Sequence, residues 1–191
     1  GILDALKIPA AHLVGFSMGG MICQIVAGRY PDRVLSLTSM MSNSGAWGSG
    51  WPSLKVALQM VKRPSKTRSA LDNSVQTLQL IGSSKYPVTD AYLRAMILAE
   101  SKRARNPLSY FRQMAAINLA ADRSELLASL KIPVLVISGE DDPLAQVSGG
   151  IETASHIPHA TLRMLSGGGH DLPKPLFGDF AQMMAQNAIQ S

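Results

Sequence analysis

A serine set among glycines is the residue of this chain best placed to do chemistry. Gly15-Phe16-Ser17-Met18-Gly19-Gly20 contains the pattern G-x-S-x-G. A serine hydroxyl is a weak nucleophile unless a constrained turn presents it to a base, and a sharp turn from strand into helix does this. Such a turn crowds the positions two before and two after the serine, so both must be small. Gly15 and Gly19 meet that need, with Gly20 behind them. The flanks agree. His12-Leu13-Val14 reads as a short apolar strand, and Met21-Ile22-Cys23-Gln24-Ile25-Val26-Ala27 as an apolar stretch of helix length. The strand–turn–helix context points to a nucleophile turn rather than a βα turn that merely needs glycines.

A nucleophilic serine needs a base, and the base needs an orienting acid. On α/β sheets that carry this turn, the chain order is serine, acid, histidine. His12 precedes Ser17 and opens a strand, so it reads as structural. His156 and His159 flank Pro158 at a predicted helix end and read as surface caps. His170 follows the last predicted strand across Gly167-Gly168-Gly169, in the loop where a base belongs. The acid should follow the preceding buried strand, and Gly139-Glu140-Asp141-Asp142-Pro143 does. Asp142 is the first choice, Asp141 the second and Glu140 the third. Asp171, beside His170, reads as a loop-stabilising residue. Ser17, Asp142 and His170 each fall just past the C-terminal end of a predicted parallel strand, the edge where open α/β sheets bind ligands. The backbone N–H of Met18, after the nucleophile, is the expected oxyanion donor.

The elements that must hold these residues follow from hydrophobic period and punctuation. Ile2–Lys7 reads as a helix stopped by Pro9, His12–Phe16 as a strand, Met18–Tyr30 as a helix and Val34–Met41 as a second strand. This is a β–α–β unit. The glycine-rich loop with Trp47 and Trp51 then breaks the rhythm. Helix-period segments follow near residues 53–62, 65–82, 88–104, 107–118 and 122–130, punctuated by Pro64, Gly82, Pro87 and Pro107. In the third, Tyr92, Ala95, Met96 and Ala99 share one face. The β/α rhythm resumes with the buried strand Pro133–Ser138, a short helix within Leu144–His156 and the strand Ala160–Leu165. A closing helix, Pro175–Gln190, presents Phe177, Phe180, Ala181, Met184 and Ala188 on one face.

Length and composition set bounds. A chain of 191 residues can bury a substantial core. No apolar run approaches the ~20 residues that span a membrane. Cys23 is the single cysteine, so no intrachain disulfide forms, and it reads as a small core residue. Of 18 Lys and Arg, 12 fall between Ser53 and Glu125, against five acids there. These charges are scattered, aromatics are sparse and no recognition motif accompanies them. A solvated helical face is therefore expected, with no nucleic-acid partner and some attraction for anionic substrates. No signal-peptide pattern opens the chain at Gly1, and a cytoplasmic location is expected.

The motifs Gly15–Gly20, Gly139–Pro143 and Gly168-Gly169-His170-Asp171-Leu172-Pro173 together resemble the nucleophile, acid and histidine motifs of the α/β-hydrolase superfamily. The ending and the long helical stretch are most similar to the aclacinomycin methylesterase-like carboxylesterases. The resemblance implies a three-layer α/β-hydrolase sheet, with core parts at 1–50 and 131–191 and an inserted helical cap at 51–130. It implies a small-molecule ester substrate and no metal or organic cofactor. It also implies several strands before the nucleophile strand, with a His-Gly-type loop that supplies a second oxyanion donor. Neither appears in this sequence, so about the first third of that fold is expected to be absent and the Ser17 strand to have an open edge.

The leading expectation is a serine carboxylesterase. Trp47, Trp51, Met60, Met96, Leu144 and Leu172 are candidates for an apolar substrate pocket. A perhydrolase or a carbon–carbon bond hydrolase would use the same three residues. From a different class, a binding module that associates through its open sheet edge, with itself or with an N-terminal segment, is the rival.

Overall fold

The computed structural model describes residues 1–61, 67–103 and 109–190. The basic residues Lys62, Arg63, Lys66 and Arg105, the punctuating Pro64 and Pro107, and the adjoining ends of the predicted helices lie outside these ranges.

Apolar residues on successive positions, rather than alternate ones, mark strands covered on both faces. Among the described residues the strands are β1 (Ala11–Phe16), β2 (Val34–Met40), β3 (Val134–Gly139) and β4 (Thr161–Leu165); β2 and β3 are of this covered kind, while β1 and β4 keep exposed positions such as Val14 and Met164. All four form one parallel sheet in sequence order. Every residue of β3 is buried. Its side chains alternate between two cores. Val134 and Val136 join Ala27, Leu37, Leu127 and Ile157 on one face, while Leu135 and Ile137 join Met40, Met41 and Phe180 on the other.

Helices cover both faces. α1 (Ile2–Ala5) precedes the sheet, and α2 (Met18–Arg29) packs on β1 and β2. The stretch between β2 and β3 holds α3 (Leu54–Val61), α4 (Ala70–Ile81), α5 (Asp90–Arg103), α6 (Ser109–Leu119) and α7 (Ser124–Ala128), and no strand among its described residues. α8 (Val147–Ser155) lies against β3 and β4, and α9 (Phe177–Ile189) against β2 and β3.

Three details depart from the periodic reading. The α4 segment begins later than predicted, because Ser69 caps it by accepting from the Asp72 amide at 3.1 Å. In α5 the buried residue is Leu93; Tyr92, Ala95 and Ala99 are exposed and Met96 is half-buried. In α9 the inward face is Phe180, Met183, Met184 and Asn187, with Phe177 and Ala181 turned out. Asn187 is buried because its amide donates to the Leu37 carbonyl at 3.0 Å and to Thr38 Oγ1 at 3.3 Å. A hydrophobicity count passes over such a residue, yet a partnered polar group is at home in a core.

A second buried polar group ties the helical stretch to the sheet layer. Arg123, 4% exposed, donates to Gln24 Oε1 at 2.9 Å, the Asn43 carbonyl at 2.9 Å and the Ala121 carbonyl at 3.1 Å. Burial pulls its guanidinium below the usual arginine range, and Asp122 and Glu152 work against that pull.

Cys23 packs half-buried against the Ala27–Leu37 core, and burial pushes its thiol up from the ordinary value. A native chain at pH 8 is expected to react with a thiol-specific reagent at least about tenfold slower than the denatured chain, since the thiolate is the reactive form. Equal rates, read by absorbance, contradict this.

Candidate active site

The turn at Ser17 is built by two close contacts. A Cβ on Gly15 would lie 2.3 Å from the Gly19 carbonyl oxygen, and one on Gly20 would lie 2.8 Å from Ser42 Cβ. The chain reverses from β1 into α2 within that space. Ser17 takes φ 54° and ψ −122°, in the region that favours glycine. Holding a residue with a Cβ there costs about 1–3 kcal/mol. The Ser17 amide is secured by donating to the Met40 carbonyl at 2.8 Å. Met18 opens α2, so its N–H is one that the helix leaves without an internal acceptor.

Asp142, just past β3, and His170, past β4, reach Ser17 across the end of β2, from the same edge of the sheet. Ser17 Oγ lies 2.9 Å from His170 Nε2, and His170 Nδ1 lies 2.8 Å from Asp142 Oδ2. An ionised carboxylate only accepts, so Nδ1 carries the proton and donates to Asp142. The lone pair of Nε2 then accepts from the Ser17 hydroxyl. Both Asp142 and His170 are buried, at 3% and 8% exposure. The other oxygen of Asp142, Oδ1, accepts from the amides of Leu144 and Ala145, each at 2.8 Å. The carboxylate is thus fixed on both sides. Phe16 packs on the imidazole with ring centroids 5.1 Å apart.

The structure separates the three acidic candidates. Asp142 meets His170, Asp141 turns to the Ser84 hydroxyl, and Glu140 is exposed. Asp171 accepts from Ser83 and so holds a loop, as its position suggests. Each remaining histidine has another partner: His12 meets Ser36 Oγ, His156 meets Glu152, and His159 meets the Ile132 carbonyl.

The pocket candidates divide. Leu144 is half-buried beside Asp142, and Leu172 is 40% exposed two residues past His170. Trp47 and Trp51 pack edge to face with centroids 4.6 Å apart and remain 87% and 49% exposed. Met60 and Met96 are half-buried. Among the described residues no group of three His, Cys, Asp or Glu side chains comes together as a metal site. None of their helices is long and apolar enough to cross a membrane.

A parallel sheet layered by helices, with a serine turn at one strand's end and a histidine and a carboxylate at two others, defines an α/β-hydrolase architecture. The family model for the alpha/beta hydrolase fold matches residues 2–173, and the chain belongs to that family. Its relatives are hydrolases. It is 25% identical over 174 residues to a 2-hydroxy-6-oxononadienedioate/2-hydroxy-6-oxononatrienedioate hydrolase of a Pseudomonas species, covering 89% of this chain and 60% of that protein. It is 28% identical over 193 residues to the rhodomycin D methylesterase DnrP of Streptomyces peucetius, covering 90% and 64%. The meta-cleavage product hydrolase CumD of Pseudomonas fluorescens superposes with a TM-score of 0.71 at 22% identity, over 99% of this chain and 67% of that one. The chain therefore spans about 60% of the length of the curated relatives it matches.

Proposed function

We propose that this chain carries the nucleophile, base and acid of a serine hydrolase of the carboxylesterase type. The observation that carries the reading is the chain of hydrogen bonds from Ser17 through His170 to Asp142, anchored at a turn that holds Ser17 in a glycine-like conformation. His170 Nε2 accepts the hydroxyl proton as Ser17 Oγ forms a bond to an ester carbonyl carbon. The Met18 N–H donates to the oxyanion. The tetrahedral species collapses, and His170 gives its proton to the departing alcohol. Water then attacks the acyl-enzyme, with His170 again as base, and releases the acid and the serine. Asp142 keeps the imidazole in the tautomer that can accept and stabilises the imidazolium that forms. In this reading residues 51–130 form a cap, Leu144 and Leu172 border the acyl or alcohol group, and no cofactor takes part.

The test is a fluorophosphonate probe, which bonds to an activated serine. The chain is expected to label, with the adduct on Ser17 by peptide mass, while Ser17→Ala does not label. A folded wild-type chain that never labels defeats the reading in favour of a binding module.

A carbon–carbon bond hydrolase is the second reading. The likeness to a 2-hydroxy-6-oxononadienedioate hydrolase favours it, as the likeness to a methylesterase favours the first. Parallel turnover of a p-nitrophenyl ester and a 2-hydroxy-6-oxo-dienoate separates the two.

A further inference from the structure

Among the described residues, the helical stretch between β2 and β3 meets the histidine loop at the turn after α4, and one hydroxyl there bridges the two residues that flank His170. Ser83 is 7% exposed. Its Oγ accepts from the Gly169 amide at 2.9 Å and donates its proton to Asp171 Oδ1. The Ser83 amide donates to the same carboxylate oxygen at 3.1 Å. One side chain therefore holds the residues immediately before and after His170. The backbone of His170 is held by the same turn, since its amide donates to the Ile81 carbonyl at 2.7 Å. Two residues further on, the Lys85 amide donates to the Gly167 carbonyl at 3.2 Å. The two backbones approach so closely that a Cβ on Gly169 would lie 2.3 Å from the Gly82 carbonyl carbon.

The backbone that carries His170 thus depends on residues almost ninety positions away in the chain. We infer that Ser83 is a positioning residue, which fixes His170 against Ser17 and makes alignment of the base depend on seating of the helical stretch. This rests on the hydrolase reading. Without the hydroxyl, the Gly169 amide and Asp171 Oδ1 each lose a buried partner, and the loop gains freedom to swing the imidazole. A displacement near 1 Å between reacting groups costs about 10²-fold in rate. Substrate contacts are untouched, so the loss falls on kcat.

The test uses the 191-residue chain with Ser83→Ala, Ser83→Thr and Asp171→Ala. The first readout is hydrogen exchange at the His170 amide, which needs no turnover. In Ser83→Ala it is expected to rise about tenfold or more while the β3 amides keep their wild-type rates. The second readout is p-nitrophenyl ester turnover. Here kcat is expected to fall roughly 10–100-fold with KM within about twofold, and Ser83→Thr restores most of it. Asp171→Ala removes the hydroxyl's other partner and is expected to give the same pattern, so it serves if Ser83→Ala does not fold. The double variant is expected to lose no more than the worse single one. Unchanged exchange at His170, a loss confined to KM, or additive losses overturn the inference. A wild-type chain that neither labels nor turns over ester sinks the hydrolase reading instead. The exchange readout then still decides whether Ser83 holds the loop.

Discussion

An Asp142→Asn chain is expected to fold as the wild type does and to lose about four orders of magnitude in ester turnover. Asp142 has two separate tasks, one for each oxygen. Oδ1 accepts from the Leu144 and Ala145 amides and closes the turn after β3, while Oδ2 accepts from His170 Nδ1. Asparagine keeps one carbonyl oxygen, and the two amides claim it. The NH2 group then faces Nδ1, and two donors cannot share a hydrogen bond. The imidazole answers by moving its proton to Nε2, which removes the lone pair that Ser17 needs. A comparable Asp→Asn change in serine proteases costs about 10⁴-fold in kcat through the same tautomer fault. Stability should shift by about 1 kcal/mol or less, because the turn keeps its acceptor. Thermal unfolding and initial rates on one preparation check both halves. Turnover within tenfold of wild type would mean that Asp142 only braces the loop.

Gly15→Val is expected to damage fold and site together. The added Cβ would begin 2.3 Å from the Gly19 carbonyl oxygen and 2.5 Å from the Gly20 nitrogen. Both are backbone atoms at the start of α2, so no rotamer change relieves the clash. The strand and the helix must separate, and Ser17 lies between them. The same separation strips partners from buried β1 and β2 positions that set the register Gly15–Ser39 and Phe16–Met40. Overpacking with backbone shift costs roughly 3 kcal/mol or more. For a chain of this length that lowers the melting temperature by about 6–12 °C. Fluorophosphonate labelling should fall by more than about 10²-fold even where the variant is folded, because Ser17 Oγ no longer meets His170 Nε2. Gly19→Ala is the control, since a Cβ there meets nothing within 4 Å. A Gly15→Val chain that melts and labels like wild type would show that the turn has room the geometry denies it.

Much of this site was readable in the sequence because its parts are local. The serine turn declares itself through Gly15 and Gly20, which the structure crowds against Gly19 and Ser42, whereas Gly19, expected to be crowded as well, has room for a Cβ. The strands of the sheet declare themselves through runs such as Val134-Leu135-Val136-Ile137, apolar at every position because helices cover both faces. The acid and the histidine follow by position, each just past a strand. The choice among Glu140, Asp141 and Asp142 was not readable to the same degree. It depends on which way each side chain leaves a tight turn, and that is fixed by the amides of Leu144 and Ala145. The inward faces of α5 and α9 were misjudged for a related reason. Apolar spacing alone does not say that Leu93 turns in while Tyr92 turns out, or that Asn187 earns a core position through a carbonyl on β2. The Ser83 contact left no signal, since a serine before a turn is unremarkable until the histidine loop folds against it.

The backbone of Ser17 carries one more consequence. Its φ of 54° suits glycine better than serine. Glycine at 17 would relieve about 1–3 kcal/mol of strain against the roughly 0.4–1 kcal/mol by which it loosens the unfolded chain. Backbone strain by itself therefore pulls position 17 toward glycine, and in the proposed hydrolase reading the need for a nucleophile holds a hydroxyl there. On that reading, residue 17 becomes a register of use in descendants of this chain: serine is expected to persist while the proposed reaction is under selection, and glycine to be the first sign that it has lapsed.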